Sequence, residues 1–549
     1  MKIKHNRNWV DFFFIIIVAA VLSIPLMNKK IDMYTGDGAD NLFRAFWGMQ
    51  NIISSGSSNI ISQFVNGFGY SWDFFEACLP TYIIMAIGAI CMSYTIGLKI
   101  VIFLIFVFTG LAMHRFIYEI SENRNCALVA GILYMVSPYL FTSLFVRHAI
   151  GEAMIFAFLP MLFLGLYNLF NTESNHYYTV LGLSGIILCN NVMSALSLIF
   201  AGIYCVLNIK NFSSVKVKKG FLIDLIFVLA ITAFFILPKL ETRFFTNYEV
   251  YQQDLNIQRE NFIDEAITLK ELLISSGKTR YVFELGLPII LMLVFSVTAF
   301  RKIEDYKKEY LFCMILGILC TFMATKYFPW KYMPDVFFKL QKPWVTLEFA
   351  SFFFAIVCSI NMTTLIKSFN KKDILVIAII CIMYFVSTQG AIYYSDNTKD
   401  VKEYDIRRLS GQNNETLEGM GNLKNLPSKA YKNTFYIATR NEKIQVLQGI
   451  CEIKNEEKNE GKLRARIVTS DEEIKLELPY IYYPGYSVKF DGMNIFSYET
   501  ENGFLGCTIP MKENGVLEVK YERTKLNKIA SLISLGTVIV YIEYVWKKH

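Results

Sequence analysis

Hydrophobic and polar positions alternate along this chain on two different scales. Through residues 1–392, apolar runs are separated by short polar stretches, and many runs approach the roughly 20 residues that a helix needs to cross hydrocarbon. The first run, Trp9–Met27, leads into the polar stretch MYTGDGADNLFR, Met33 to Arg44. From Asp40 to Ile53 the pattern has a helical period. Leu42, Phe43, Phe46, Trp47, Met49, Ile52 and Ile53 fall on one side, with Asp40, Arg44 and Asn51 opposite. That pattern predicts a helix lying in the membrane interface. The Gly/Ser stretch SSGSSN ends it, and the aromatic segment FVNGFGYSWDFFEACLPTY predicts a second interfacial element.

Further apolar runs lie near 79–98, 100–118, 127–145, 149–170 and 179–209. Two arrangements fit them. In one, 79–98 crosses fully and 179–209 is a single long helix, which turns Arg147 and Glu152 to the cytoplasm. In the other, 79–98 is re-entrant or peripheral and 179–209 splits at Asn190–Asn191, which turns Arg147, Glu152 and the Asn pair outward. The distribution of basic residues favours the second. Spans then follow near 221–239, 285–300, 310–325, 346–366 and 373–392, with 240–284 and 326–345 outside.

From 393 to 526 the period changes to two. Leu463, Ala465 and Ile467 alternate with charges, as do Ile474, Leu476 and Leu478, and then Leu517, Val519 and Tyr521. Turn signals DG, ENG and PG separate these runs and predict a β-sandwich. One more apolar run, 528–546, closes the chain. The expectation is a polytopic α-helical membrane protein of about 12 transmembrane helices with a C-terminal extracytoplasmic β-sandwich-like domain. The transmembrane domain is 1–392, with 28–78 as first external loop. The β-rich domain is 393–526, and 527–549 holds the final helix and tail.

Composition supports this. The 549 residues are 54% hydrophobic, and only 18% are charged, against about a quarter in soluble domains. The net charge of +7 comes from basic clusters between apolar runs, such as Lys216–Lys219 and Lys367–Lys372. Such clusters mark cytoplasmic loops, place both termini in the cytoplasm and argue against a nucleic-acid partner. No small-residue cleavage site follows the first run before the GDGAD loop, so it reads as a retained anchor. The eleven cysteines show no metal-site spacing. Cys451 and Cys507 fall in the polar region, where a disulfide and two separate core thiols are both open. Asn414-Glu415-Thr416 is a glycosylation sequon by pattern alone.

Candidate chemistry gathers in the external loops. Asp37 sits between Gly36 and Gly38, which allow close backbone approach to a ligand, although a tight turn uses the same residues. Asp40 and Arg44 lie one helical turn apart and suit an ion pair. Glu76 and Asp73 are candidates for a second carboxylate. Arg147 and Glu152 flank an apolar run, where ionisable groups either snorkel or serve a site. Trp330, Trp344, Tyr327 and Tyr332 read as an interfacial aromatic belt or a groove lining.

Several stretches in order carry a resemblance. They are the GDG after the first span, GFGY at Gly67–Tyr70, LYMVSPYLFTSLFVRHAIGEAMIFAFLP, LQKPWVTLEF, and LPYIYYPGYSVKFDG. Together they resemble the bacterial YfhO-like membrane proteins and the 6-pyruvoyl-tetrahydropterin synthase-related membrane family, both similar to GT-C glycosyltransferases. The resemblance implies a GT-C-like fold in the bacterial plasma membrane. It implies transfer of a sugar from a polyprenyl-phosphate carrier to an envelope polymer or lipid acceptor at the outer face of the bilayer. Asp37, with Asp40 next, matches the acidic residue of the first external loop, which acts as base or as part of a divalent metal site.

Arg147, Glu152, Asn191, Gln341, Trp344 and Glu76 are the implied substrate-binding positions. Where relatives carry Arg after Pro-Trp, this chain has Val345, which leaves Lys342 or Lys339 as point charges. Cys189-Asn190-Asn191 stands where relatives have Ser-His-Asn. A flippase for a lipid-linked saccharide, or a degenerate member that binds or assembles, are the alternatives.

Overall fold

The computed structural model describes residues 2–27, 33, 36–56, 60–62, 64–252, 255–273, 285, 289, 293–303, 306–365, 423–459, 461–469, 473–510 and 514–548. It is largely helical, with a C-terminal β region. Among the described residues, Tyr94–Ser121, Ile150–Asn171, Pro343–Thr364 and Lys525–Lys547 are long and apolar enough to cross a membrane. Two bent pairs raise the number of such spans from 4 to 6. The expected run 373–392 and the sequon at Asn414 lie outside the described residues, as do 286–288 and 290–292 of the run 285–300.

The choice between the two arrangements of 79–98 and 179–209 has a local answer. The helix Leu79–Ile90 has only 12 residues, and a new helix, Tyr94–Ser121, begins after it. Twelve residues rise about 18 Å, well short of the ~30 Å hydrocarbon core. The 179–209 run breaks into Tyr178–Cys189 and Asn191–Leu207. Asn190 is extended, and its side-chain oxygen accepts from the amides of Val192 and Met193 at 2.9 and 3.1 Å. A short polar side chain that satisfies the first amides of a new helix makes the break favourable. The run 221–239 also breaks, between Val215–Ile231 and Ala233–Phe245, with a 65° bend.

The helix expected from Asp40 is present as Gly38–Ser55, closed by Gly56 in the left-handed conformation, and both of its faces are buried near its start, with Leu42 and Phe43 at 4% and 2% exposure. Asn41, Arg44 and Asn51 are buried at 9%, 9% and 1% exposure, while Ile53 is 73% exposed. The polar residues are buried as well because they find partners there. Asn41 donates to the His148 carbonyl at 2.9 Å, Ser62 donates to Asn51 at 3.1 Å, and Arg44 pairs with Glu76. Periodicity defines two faces; whether each is buried depends on the partners available.

The β region is a two-sheet sandwich, and all of its strand pairs are antiparallel. One sheet orders Gln445–Gln448, Glu473–Ile481, Phe504–Pro510 and Ser497–Glu499. The other orders Cys451–Asn459, Lys462–Thr469, Asn514–Tyr521, Tyr486–Phe490 and Met493–Asn494. The alternating apolar residues named above face the interior, with Ile467, Ile474, Leu476, Leu478 and Leu517 all at 0% exposure. Cys451 and Cys507 lie in different sheets.

The aromatic segment after the helix Gly38–Ser55 is buried in the protein rather than laid on a surface. Phe68, Tyr70, Trp72 and Phe75 share one apolar cluster with Tyr248, Leu426, Ile437, Ile481, Tyr483 and Phe504. Each large side chain so buried contributes about 1.5–3 kcal/mol. The first loop therefore shares an apolar cluster with one end of the sandwich, at Ile481, Tyr483 and Phe504, while the sandwich interior is a cluster of its own.

Candidate functional site

Gly36, Asp37 and Gly38 dock against the loop that carries Arg147. The amide of Asp37 donates to the Arg147 carbonyl at 2.8 Å. Gly36 has φ +56°, and a Cβ there would overlap the Arg147 carbonyl group; one at Gly38 would overlap the Met33 carbonyl. The glycines do permit a close backbone approach, but what approaches is the Arg147 main chain. Asp37 occupies the N-cap position of Gly38–Ser55, yet its side chain makes no capping hydrogen bond. Among the described residues, no hydrogen bond holds its carboxylate.

Arg147 follows the turn Thr142–Val146 and pairs end-on with Glu152. Its Nη1 donates to Oε2 at 2.6 Å and its Nη2 to Oε1 at 2.9 Å. Tyr139 Oη donates to Glu152 Oε2 at 3.2 Å. The guanidinium lies over the buried indole of Trp344 at 4.4 Å from its centroid, and Lys342 Nζ lies over the same ring at 5.1 Å. Trp344 Nε1 reaches Glu265 at 3.4 Å, and Lys342 lies 3.9 Å from Glu265. Two cations, a rigid aromatic floor and a carboxylate suit an anionic ligand beside a transferable proton.

Solvent reaches the Asp37 side chain, while the surrounding protein strips away much of the water that a free carboxylate would hold. Burial therefore pushes its pKa up to about 6, with Arg147 pulling it down and Glu152 and Asp40 pushing it further up. A carboxylate titrating there is poised as a general base near neutral pH. Burial also pushes the Lys342 ammonium down, opposed by Glu265.

The other expected residues divide. Asp40 lies 3.7 Å from Arg44 on the first turn of its helix. Glu76 pairs with Arg44 and accepts from Asn425 at 3.3 Å. Asn191 donates to the Phe75 carbonyl at 2.8 Å and braces the first loop. Gln341 is exposed in a left-handed conformation, φ +67°, next to Lys342. Asp37, Arg147, Glu152 and Trp344 come together; Asp40, Glu76 and Asn191 belong to the frame that holds the loop. Among the described residues, no three His, Cys, Asp or Glu side chains converge as metal ligands. With Asp40 beside Arg44, the residues present do not fit a divalent metal.

Glu348 is a residue that reading the sequence missed. It sits in the first turn of Thr346–Leu365, fully buried, and among the described residues neither carboxylate oxygen has a hydrogen-bond partner. The charges of Glu152 and Arg147 act on it, and it acts in turn on Tyr134 and Tyr139. The available signal was a lone carboxylate inside the apolar run LEFASFFF, since ionisable groups inside spans default to function.

Comparison with known proteins adds two findings. Residues 74–395 match the 6-pyruvoyl-tetrahydropterin synthase related domain, described as a membrane protein. The chain is also similar to an uncharacterized protein of Lactococcus lactis subsp. cremoris, 21% identical over 98% of this chain and 94% of that protein.

Proposed function

The chain belongs to the 6-pyruvoyl-tetrahydropterin synthase related family of membrane proteins, and we propose that it is a membrane glycosyltransferase of GT-C type. In this reading it has about 12 spans and both termini in the bacterial cytoplasm. It moves a sugar from a polyprenyl-phosphate carrier to an envelope polymer or lipid at the outer membrane face. The observation that carries the reading is the docking of Asp37 on the Arg147 main chain. It sets a carboxylate titrating at about 6 beside two cations and an indole.

Asp37 takes the proton of the acceptor hydroxyl, the acceptor oxygen bonds to the anomeric carbon, and the bond from that carbon to the carrier phosphate breaks. The electron pair leaves on the phosphate oxygen. Arg147 binds Glu152 through its two terminal nitrogens, so its Nε edge remains for the phosphate. Lys342 adds a second charge, in place of the arginine that position 345 lacks. Charge held ready at the leaving group, in a site screened from water, lowers the barrier.

The test is Asp37→Asn at matched membrane levels, with envelope sugar content and the lipid-linked donor pool measured together. Transfer is expected to fall at least ~100-fold, the scale of general-base catalysis, while donor accumulates on the outer face. Transfer that survives the substitution overturns the reading. Loss of donor from the outer face points instead to a flippase, and no change in either pool to a protein that only binds.

A further inference from the structure

We infer that Asn425 and Lys458, both on the C-terminal side of the chain, are positioning residues for Asp37, acting through the first external loop. The inference rests on the site proposed above and on a continuous line of contacts. Lys458 lies in the strand Cys451–Asn459, and its ammonium donates to the Gly67 carbonyl at 2.6 Å and to Glu442 at 2.7 Å. On either side of Gly67, Asn66 donates to the Ile437 carbonyl at 3.0 Å and the Ile481 amide to the Phe68 carbonyl at 2.9 Å. Phe68 is fully buried against Phe504, with ring centroids 5.1 Å apart, and the Arg440 guanidinium lies 5.2 Å from its centroid.

Further along the loop, Asn425 donates to Tyr70 Oη at 2.8 Å and to Glu76 at 3.3 Å. The Asn425 carbonyl is held by Tyr483 Oη at 3.2 Å, from just beyond the strand Glu473–Ile481. Glu76 in turn holds Arg44, which projects from the helix that Asp37 caps. The sandwich therefore grips the loop at Gly67 and Phe68, the turn Leu423–Asn425 before it grips Tyr70 and Glu76, and the last grip reaches the helix whose first residues carry the carboxylate. The helix itself is fixed at its other contact by Asn41 on the His148 carbonyl. With one grip released, the start of the helix loosens and loses its fixed distance from Arg147. The β domain thus completes the site from outside the membrane-embedded part.

The experiment uses the full chain in lipid nanodiscs, with Asn425→Ala, Lys458→Ala and Lys458→Arg. Two readouts do not depend on transfer activity. Hydrogen exchange over 38–55 reports whether the helix loosens. Modification of Asp37 by a water-soluble carbodiimide, followed from pH 4 to 8 by mass spectrometry, reports its protonation. The charged groups acting on Asp37 are Arg147, Glu152, Asp40 and Arg44, with Lys342 also in reach, and none of them is altered.

The Ala variants are expected to speed exchange at least ~10-fold at the start of the helix, the factor that corresponds to ~1.4 kcal/mol. They should also lower the labelling midpoint by about one pH unit, toward the ~4 of a solvated Asp. Lys458→Arg should restore both, because it keeps a cation over the Gly67 carbonyl. Unchanged exchange with an unchanged midpoint overturns the inference. So does faster exchange spread across the whole chain, which means general destabilisation. Should Asp37→Asn leave transfer intact while these shifts occur, the proposed reaction fails and the positioning stands.

Discussion

The docking of GDG on the Arg147 loop makes one substitution unusually informative, because the structure supplies its own control. Gly36 and Gly56 both adopt positive φ, +56° and +78°. An added Cβ at Gly56 meets nothing within 4 Å, whereas one at Gly36 overlaps the Arg147 main chain. Gly56→Ala therefore carries only the left-handed strain, about 1–2 kcal/mol. Gly36→Ala carries the same strain and also expels the loop, because a carbonyl group cannot rotate aside like a flexible side chain. The amide bond from Asp37 to the Arg147 carbonyl, 2.8 Å, is lost with it, at about 1 kcal/mol.

The added cost at Gly36 is thus about 1–2 kcal/mol beyond the control. At 1.36 kcal/mol per decade this makes the docked loop about 5- to 30-fold rarer. Transfer measured per folded molecule in nanodiscs should fall by that factor for Gly36→Ala relative to Gly56→Ala. Carbodiimide labelling of Asp37 should shift toward lower pH in the first variant only. Equal transfer and equal labelling in the two variants would refute the claim that the Arg147 main chain holds Asp37 in place.

Two further outcomes follow from the same charges. Because the folded protein holds the Asp37 proton up to about pH 6, against ~3.9 for a free Asp, ionising it opposes folding. That opposition is complete above pH 6 and absent below about pH 4. Asp37→Asn should therefore raise the melting temperature at pH 7.5 and leave it unchanged at pH 4; a drop at pH 7.5 would mean the carboxylate has a stabilising partner. Glu348→Leu removes a buried carboxyl without hydrogen bonds and is expected to raise the melting temperature while lowering transfer. A variant that is both less stable and inactive would make Glu348 structural.

Much of the architecture was legible because it depends on local pattern. Alternation at 463–467, 474–478 and 517–521 marks strands wherever one face is buried. The break at Asn190 follows from one side chain that caps a helix better than it continues one. Asp37, Arg147, Glu152 and Trp344 could be named because ionisable and aromatic residues at the ends of apolar runs are few. Other features depend on contacts that no local pattern encodes. The Arg147 carbonyl that receives Asp37 is a main-chain atom, invisible to residue type. The polar face of Gly38–Ser55 is buried because Glu76, Ser62 and the His148 carbonyl happen to meet it. Asn425 finds Glu76 across 349 positions of chain. Glu348 was overlooked because its neighbours are apolar, which is the reason it matters.

Several buried charges among the described residues are paired, and their contrast with Asp37 and Glu348 separates stability from chemistry. Asp11, 3% exposed, holds Arg124 through two bonds of 2.5 and 2.6 Å, with His114 at 3.4 Å. His176 meets Asp224 at 2.8 Å, and Arg440 meets Glu477 at 3.2 Å inside the sandwich. Removing one partner strands the other: the cost is ~3–5 kcal/mol for a fully buried pair and nearer 2–3 kcal/mol where, as for Arg124, one member is about a third exposed. Arg124→Gln should therefore lower the melting temperature and the amount of protein in the membrane, while transfer per folded molecule stays near wild type. Asp37→Asn should do the reverse, since among the described residues its carboxylate has no partner to strand. If Arg124→Gln abolishes transfer in protein that melts normally, the Asp11 cluster belongs to the reaction, and the division of this chain into a matched frame and one unmatched site is wrong.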